Sequence, residues 1–264
     1  MKEQIHFAHG NGFPSPCYRQ LFLQLASDFD CYYIDKVGHS EQFPVTENWG
    51  YLVHEVIASI EEQTKPPVYG LGHSLGGVLT LLAALEKPSL FKAIVLLDSP
   101  FIGPVKSNML RIAKMLRMID RVTPAMRSKA RQQHWHNRAQ VWAYLKTKDL
   151  FKSFTDECLN DYIDFGLQKD EDGYRLRFER AIETEIYRTI PHILPQFQGK
   201  LKVPAVLVYA PDSKVVDKFD IRYMKKQFGI TTRSIKGTHM FPMEDPKTTA
   251  KLIIEALKFS NSSS

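Results

Sequence analysis

The chain has 264 residues, of which 44% are hydrophobic and 24% charged, and this is enough to bury one substantial core. No stretch reaches the roughly 18 apolar residues of a membrane span, and the amino terminus lacks the apolar run of a signal peptide. The three cysteines, Cys17, Cys31 and Cys158, are odd in number and lack metal-ligand spacing, which argues against a disulfide framework. We therefore predict a cytoplasmic protein with reduced thiols.

Short apolar runs alternate with helical patterns along most of the chain. Strands are predicted at residues 5–8, 31–34, 68–71, 93–97, 205–209 and 231–235. Helices are predicted at residues 18–27, 49–63, 75–86, 218–227 and 246–258. Alternation of this kind implies right-handed crossovers, so we predict an α/β fold with a mostly parallel, doubly wound sheet of about six strands.

A long helical stretch separates the fourth predicted strand from the fifth. Residues 101–200 contain no convincing strand of the main sheet. We therefore predict that residues 1–100 and 201–264 form the α/β core, and that residues 101–200 form an inserted helical cap.

A serine lies between two glycines where a predicted strand passes into a predicted helix. Residues 68–77 read Val-Tyr-Gly-Leu-Gly-His-Ser-Leu-Gly-Gly, with Ser74 flanked by Gly72 and Gly76. A strand that turns sharply into a helix strains the backbone of the residue at the turn and requires small neighbours two positions away on each side. The pattern is typical of a nucleophile elbow and predicts Ser74 as the nucleophile.

A serine hydroxyl is a weak nucleophile and needs a general base beside it. Among nine histidines, His239 lies in the loop after the last predicted strand, from which its ring can reach the carboxyl edge of the sheet. We predict His239 as the base. The side chain of His73, next to the nucleophile, points the other way from an elbow, so a packing or supporting role is also open for it.

The base needs a carboxylate to orient it, at the carboxyl end of a strand between nucleophile and base. Asp212 follows the fifth predicted strand, and Asp98 follows the fourth. We favour Asp212 and keep Asp98 as the alternative. Whichever aspartate is not the acid is expected to hold its loop by accepting backbone hydrogen bonds.

A tetrahedral intermediate also requires two N–H groups directed at its oxyanion. One is expected from Leu75, which follows the nucleophile at the positive end of its helix. The second is expected from the glycine-containing loop after the first strand, where Asn11 is the donor by position and Gly12 and Phe13 are alternatives. The loop has no phosphate-binding or dinucleotide-binding glycine pattern, so we expect no nucleotide. Acyl transfer by a triad requires no metal and no organic cofactor, and we expect neither.

These motifs occur together in one well-known family. They are His9-Gly10, Asp35-Lys-Val-Gly38-His39-Ser40, Gly72-His-Ser74-Leu-Gly76-Gly77, Asp212 before Val215, and His239. With them the chain resembles α/β-hydrolase-fold serine hydrolases that carry a cap. The resemblance implies that the loop from Asp35 to His39 packs near the active-site entrance as structure, and that residues 172–178 form a hairpin where the cap returns to the core.

The chain also departs from the family pattern at two places. Only eight residues precede His9, so the usual leading antiparallel hairpin is expected to be missing. The acid loop has Ala210 where a glycine is common and one residue fewer before Asp212, which keeps Asp98 open as the acid. Because Ser74 stands where other branches have an aspartate, epoxide hydrolases and dehalogenases are disfavoured.

The resemblance and the triad together imply acyl transfer. We expect hydrolysis of carboxylic esters of apolar acyl groups through an acyl-enzyme, with a small-molecule ester or acyl compound as the substrate. A thioesterase, a lactonase or a carbon–carbon bond hydrolase of the same fold is the first alternative. A non-catalytic binding protein on a hydrolase fold is an alternative of another class. Acyl-chain length and oligomeric state do not follow from the residues.

The predicted cap is strongly basic. Residues 101–152 carry twelve Lys or Arg and two acids, and within 109–121 basic residues recur every three or four positions among Leu, Ile and Met. This pattern favours either a solvated helix that covers an apolar pocket or an interfacial helix attracted to anionic lipid or to an anionic substrate. Without a recognisable reading module, nucleic acid is not expected. The candidate substrate-binding residues are Phe13, His73 and Trp135.

Overall fold

A computed structural model describes residues 2–261 of the chain. The amino-terminal half alternates strands and helices, with short 3-10 turns at Ser15–Tyr18, Glu47–Trp49 and Pro88–Leu90. Its elements are β1 (Glu3–Ala8), α1 (Arg19–Leu25), β2 (Phe29–Tyr33), α2 (Gly50–Gln63), β3 (Val68–His73), α3 (Leu75–Glu86) and β4 (Phe91–Leu97).

A long insert, residues 98–204, separates β4 from the next strand of the main sheet. Its elements are α4 (Pro104–Met115), α5 (Ile119–Val122), α6 (Ala125–Lys129), β5 (His134–Trp135), α7 (Arg138–Lys146), α8 (Asp156–Phe165), β6 (Leu167–Asp170), β7 (Gly173–Leu176), α9 (Arg180–Arg188) and a 3-10 turn at Leu194–Phe197. The chain then continues through β8 (Ala205–Tyr209), α10 (Lys218–Phe228), β9 (Thr231–Ser234), α11 (Phe241–Glu244) and α12 (Pro246–Asn261).

The main sheet has six strands in the order β2-β1-β3-β4-β8-β9, and every neighbouring pair is parallel. This confirms the predicted fold class and strand number. The chain places β2 on one side of β1 and then places β3, β4, β8 and β9 in turn on the other side. Because the connections run in opposite directions from β1, they place helices on both faces of the sheet.

Side chains alternate between the two faces because successive strand residues point in opposite directions. Along β8, Val206 and Val208 join the core that contains buried residues of α1 and α12, whereas Ala205 and Leu207 join the core that contains those of α2, α3 and α10. The sheet is therefore buried on both faces, as expected for a parallel sheet with near-continuous apolar strands.

The insert is not purely helical. β5, β7 and β6 form a small antiparallel sheet in that order, in which Leu167 pairs with Leu176. The expectation of a hairpin near residues 172–178 corresponds to β6 and β7. The proposed boundaries of core and cap stay predictions. Within residues 2–261 no helix has the length and apolar character needed to cross a bilayer.

Candidate active site

Ser74 occupies the turn between β3 and α3 with φ 53° and ψ −118°. A non-glycine residue with positive φ is strained, and such strain is held by tight surroundings. A Cβ on Gly72 would lie 2.4 Å from the backbone of Gly76, and a Cβ on Gly76 would lie 2.0 Å from the carbonyl oxygen of Ala8. The two glycines are therefore required by the close approach of α3 to β3 and β1.

The register of the sheet brings Asp98 next to this turn. The N–H of Ser74 donates to the carbonyl of Leu97 at 2.9 Å, and the N–H of Asp98 donates to the carbonyl of Val208 at 2.8 Å. Ser74 and Asp98 therefore leave the carboxyl ends of the neighbouring strands β3 and β4. Asp98 is fully buried and has φ 44°, a second strained residue at this edge.

His239 is held by Asp98. Its Nδ1 lies 2.7 Å from Oδ2 of Asp98, and the same carboxylate accepts hydrogen bonds from the Ser213 hydroxyl and, at 3.3 Å, from the N–H of Ala210. The carboxylate fixes the tautomer with the proton on Nδ1, which leaves Nε2 free to accept a proton. A histidine held in this way can act as a general base.

The preference for Asp212 as the partner of His239 is wrong. Asp212 is exposed on the loop after β8, and the neighbouring Ser213 is the loop residue that reaches the buried carboxylate. Because this loop is short, the N–H of Ala210 and the hydroxyl of Ser213 reach the edge of the sheet where Asp98 lies. Both are donors, and they complete the hydrogen bonding of Asp98.

His73 ties the elbow to two other loops. Its Nε2 donates to the backbone carbonyl of His239 at 3.0 Å, so its Nδ1 accepts from the Tyr18 hydroxyl at 2.7 Å, which in turn accepts from the N–H of Gly10 at 3.1 Å. Burial, and then the neighbouring His239, hold the pKa of His73 well below its usual value. The ring is therefore neutral, and it joins the loops of Gly10 and His239 to the elbow.

The assignment of His73 as a substrate-binding residue is also wrong. The side chain is buried, and protein groups occupy both ring nitrogens. Since the side chain of an elbow neighbour points back into the sheet, it supports the His239 loop from behind. The alternative supporting role is the one that the geometry favours.

Two further histidines are buried as neutral rings in and just after β1. Burial lowers the pKa of His6 to about 3 and the pKa of His9 to about 4. His6 pairs with the Ser59 hydroxyl at 2.8 Å, and His9 accepts from the N–H of Val37 at 2.8 Å. Burial disfavours the charged form of both rings, and His9 would in addition lose its contact with Val37 on taking up a proton.

We expect acid lability from these rings. The unfolded chain protonates His6 below about pH 6.5 whereas the folded chain does not, so stability is lost as pH falls from there toward the folded pKa. His6→Gln removes one such group, and the free energy of unfolding should then fall less steeply, by about 1.4 kcal/mol per pH unit between pH 6 and 5. Urea unfolding at both pH values measures this, and equal slopes in the variant and the wild type would contradict it.

The two predicted oxyanion donors are unused by the protein. Among residues 2–261, no protein acceptor takes a hydrogen bond from the backbone N–H of Leu75 or of Asn11. Leu75 N–H opens α3, where the helix dipole favours negative charge. Since Ala8 pairs with Gly72, the loop after β1 emerges beside the elbow.

The Asn11 side chain anchors this loop to the insert. Its Nδ2 donates to the carbonyl of Glu183 at 3.0 Å, while its Oδ1 is buried without a partner. Arg131 donates to the Glu183 carboxylate at 2.9 Å and to the Tyr162 hydroxyl, and its guanidinium approaches Gly12. These contacts hold α9 and the segment after α6 against the loop that carries Asn11.

A second connection joins the insert to the loop after β2. Asp35 pairs with Arg177, and His39 accepts from the N–H of Glu179 at 3.0 Å while its ring packs 4.4 Å from Phe178. This agrees with a structural role for the Asp35 to His39 loop. The insert is therefore fixed to the core through the loops after β1 and β2, which lie on one side of the elbow in the sheet.

Phe13 and Trp135, the other candidate substrate-binding residues, are buried. Phe13 packs 5.1 Å from Tyr162 in an aromatic cluster that includes Phe151, and Trp135 packs 5.3 Å from Tyr144 with its Nε1 unpartnered. Both side chains belong to the core between the sheet and the insert. Contact with a substrate stays a prediction for these two.

A large groove lies away from the elbow. This groove, of about 950 Å³, runs along the edge strand β2 between α1 and the insert, and Ser74, Asp98 and His239 do not line it. Within residues 2–261, no group of three or more His, Cys, Asp or Glu has the arrangement of a metal site, and Cys17, Cys31 and Cys158 are all free thiols.

The strained serine at a strand–helix turn, on a parallel sheet with a histidine and carboxylate at its edge, defines an α/β-hydrolase-type fold. Residues 7–252 match the model of the alpha/beta hydrolase family. Because this match covers most of the sequence, the chain belongs to the alpha/beta hydrolase family.

Individual relatives are more distant. Human monoglyceride lipase is 30% identical over 130 residues, which are 45% of this chain and 43% of that protein. The match thus spans less than half the length of this curated relative.

Solved structures support the fold alone. An E-2-(acetamidomethylene)succinate hydrolase superposes with a TM-score of 0.78 at 20% identity, covering 97% of this chain and 91% of that one. A thioesterase domain from the curacin biosynthetic pathway has a TM-score of 0.74 at 18% identity, covering 96% and 91%.

Proposed function

We propose that this protein is a serine hydrolase that cleaves carboxylic esters of apolar acyl groups through an acyl-enzyme intermediate. The observation that carries the proposal is the strained Ser74 at the same edge of the sheet as the buried Asp98, whose carboxylate lies 2.7 Å from Nδ1 of His239. A purely structural serine would have no need of that backbone conformation. The partial match to human monoglyceride lipase, whose name denotes a lipid ester hydrolase, favours apolar acyl groups.

The reaction would proceed in two acyl transfers. His239 Nε2 takes the Ser74 proton as Oγ attacks the carbonyl carbon, and the resulting oxyanion accepts hydrogen bonds from the N–H groups of Leu75 and Asn11. The tetrahedral intermediate then expels the alcohol, which receives the proton from His239. Water, deprotonated by the same ring, attacks the acyl-enzyme and releases the acid and free Ser74. Asp98 stabilises the imidazolium without itself being protonated.

Covalent labelling with a fluorophosphonate, read by intact mass, is the first test. The wild-type protein should gain one label, which Ser74→Ala should lose. Ser40→Ala, a serine on the loop after β2, is the matched control and should label normally. Hydrolysis of para-nitrophenyl esters of increasing chain length should follow the same pattern and show an optimum at an apolar acyl group.

Each other outcome selects an alternative. Labelling at Ser74 without ester turnover would move the assignment to thioesters, lactones or carbon–carbon bonds. Absence of both signals in a folded wild-type protein would reject the hydrolase proposal in favour of a binding protein on the same fold.

A further inference from the structure

Helix α4 presents its large apolar side chains to solvent. Val105, Met109, Ile112, Met115 and Leu116, on the helix and at its end, are 49–75% exposed. The residues that α4 buries are small, namely Ser107 and Ala113. This is the reverse of an ordinary surface helix, whose apolar side faces the core. The interpretation of the predicted helix as one that covers an apolar pocket is therefore wrong for α4.

The exposed residues form a continuous stripe. Spacings of four, three and four residues place Val105, Met109, Ile112 and Leu116 on one side of the helix. On the next two helices Val122 of α5 and Met126 of α6 are also exposed, each to 58%. We call this set, with Met115, the apolar face. Contiguous exposed apolar surface of this kind marks an interaction site in a soluble domain.

Cations without acidic partners surround the apolar face. Residues 101–129 contain seven Lys or Arg and one acid, Asp120, which is paired with Arg188. Lys106 pairs with two aspartates of α10, and Lys114 turns inward to Glu47 and the carbonyl of Ile190. The remaining five are exposed, and within residues 2–261 none pairs with a carboxylate: Arg111, Arg117, Arg121, Arg127 and Lys129.

We infer that the apolar face and these five cations dock the protein on an anionic lipid surface. Apolar side chains enter the boundary between headgroups and acyl chains, and flanking Arg and Lys bind the lipid phosphates. A second copy of the chain fits less well, because a symmetric contact would bring two unpaired cationic rims together. Nucleic acid would use the cations but would leave the methionine and leucine side chains in water.

Helix α4 lies close to the edge of the sheet that carries Asp98. The helix begins six residues after Asp98, which follows β4, and Lys106 binds Asp217 and Asp220 at the start of α10. The segment between β8 and α10 carries Ala210 and Ser213, which donate hydrogen bonds to Asp98. A lipid surface at the apolar face would therefore adjoin the carboxyl edge of the sheet. The docking itself does not depend on the proposed reaction.

Co-flotation with phosphatidylcholine vesicles, prepared with and without phosphatidylserine, tests the inference on the full chain. The wild-type protein and Ser74→Ala should both bind, and more strongly to the anionic vesicles. Replacement of Arg111, Arg117 and Arg121 by Gln should weaken binding to anionic vesicles on the order of 100-fold. The triple variant Met109→Ser/Ile112→Ser/Leu116→Ser should abolish binding to both kinds.

Matched controls lie outside the face. Leu23→Ser on α1, and the exposed charges Lys65, Lys202 and Lys225 changed together to Gln, should bind vesicles as the wild type does. The arginine, serine and control variants should keep the hydrolysis of a short water-soluble ester, which Ser74→Ala loses, so that loss of docking and loss of the proposed reaction are separate results.

Three outcomes would overturn the inference. The first is vesicle binding that neither the arginine-to-glutamine variant nor the serine variant weakens, or vesicle binding that is equal with and without phosphatidylserine. The second is a dimer in light scattering that the serine variant dissociates, with no vesicle bound. The third is salt-sensitive binding of a DNA duplex without vesicle binding.

Discussion

Asp98→Asn is expected to lower kcat for ester hydrolysis by about 10⁴-fold, with little change in KM. The asparagine keeps the volume of the buried side chain but presents an amide that favours the wrong tautomer of His239 and cannot stabilise its imidazolium. Steady-state kinetics on the best para-nitrophenyl ester gives the measurement, and circular dichroism verifies that the variant is folded.

Asp212→Asn is the matched control, since Asp212 lies one residue from the Ser213 contact but is exposed. Its kcat should remain within about twofold of wild type, because surface substitutions of this kind change little. The reverse result, a large loss at Asp212 and a small one at Asp98, would mean that the working enzyme uses a carboxylate geometry other than the one described.

Gly76→Ala is expected to destabilise the protein by at least about 3 kcal/mol, or to prevent folding. The added methyl would lie 2.0 Å from the carbonyl oxygen and 2.2 Å from the carbonyl carbon of Ala8. These are backbone atoms of the interior strand β1, which pairs with β2 and β3 and cannot move without disturbing them. Urea unfolding gives the midpoint and the free energy.

Gly50→Ala tests the same change of residue where there is room. Gly50 begins α2 with helical φ of −54°, and a Cβ there would meet nothing within 4 Å. Stability should stay the same or rise by about 0.4–1 kcal/mol, because alanine restricts the unfolded chain more than glycine does. If both alanine variants unfolded at the wild-type midpoint, the close approach at Gly76 would be wrong.

The sequence predicted correctly those elements that depend on residues close together in the chain. The predicted strand at 205–209 and the predicted helix at 75–86 coincide with β8 and α3, and the other strands of the main sheet differ only in their ends. Apolar runs bounded by Pro and Gly report directly on a buried parallel strand. The glycines around Ser74 report on a close backbone approach that needs no knowledge of the rest of the chain.

The acid was decided by tertiary geometry. Asp98 and Asp212 both follow parallel strands, so both emerge at the same edge of the sheet, and chain order cannot separate them. The signal that could have separated them was the short loop with Ala210. That shortening leaves Ser213, rather than Asp212, within reach of the carboxylate of Asp98.

By itself, the sequence determined the class of fold, the strained turn at Ser74 and the helical period of the basic region, because each depends on residues close together in the chain. The tertiary structure alone decided which carboxylate holds His239, that His73 supports the His239 loop, and which side of α4 meets water. Periodicity defines the two sides of a helix, but only packing against the core determines which of them is buried.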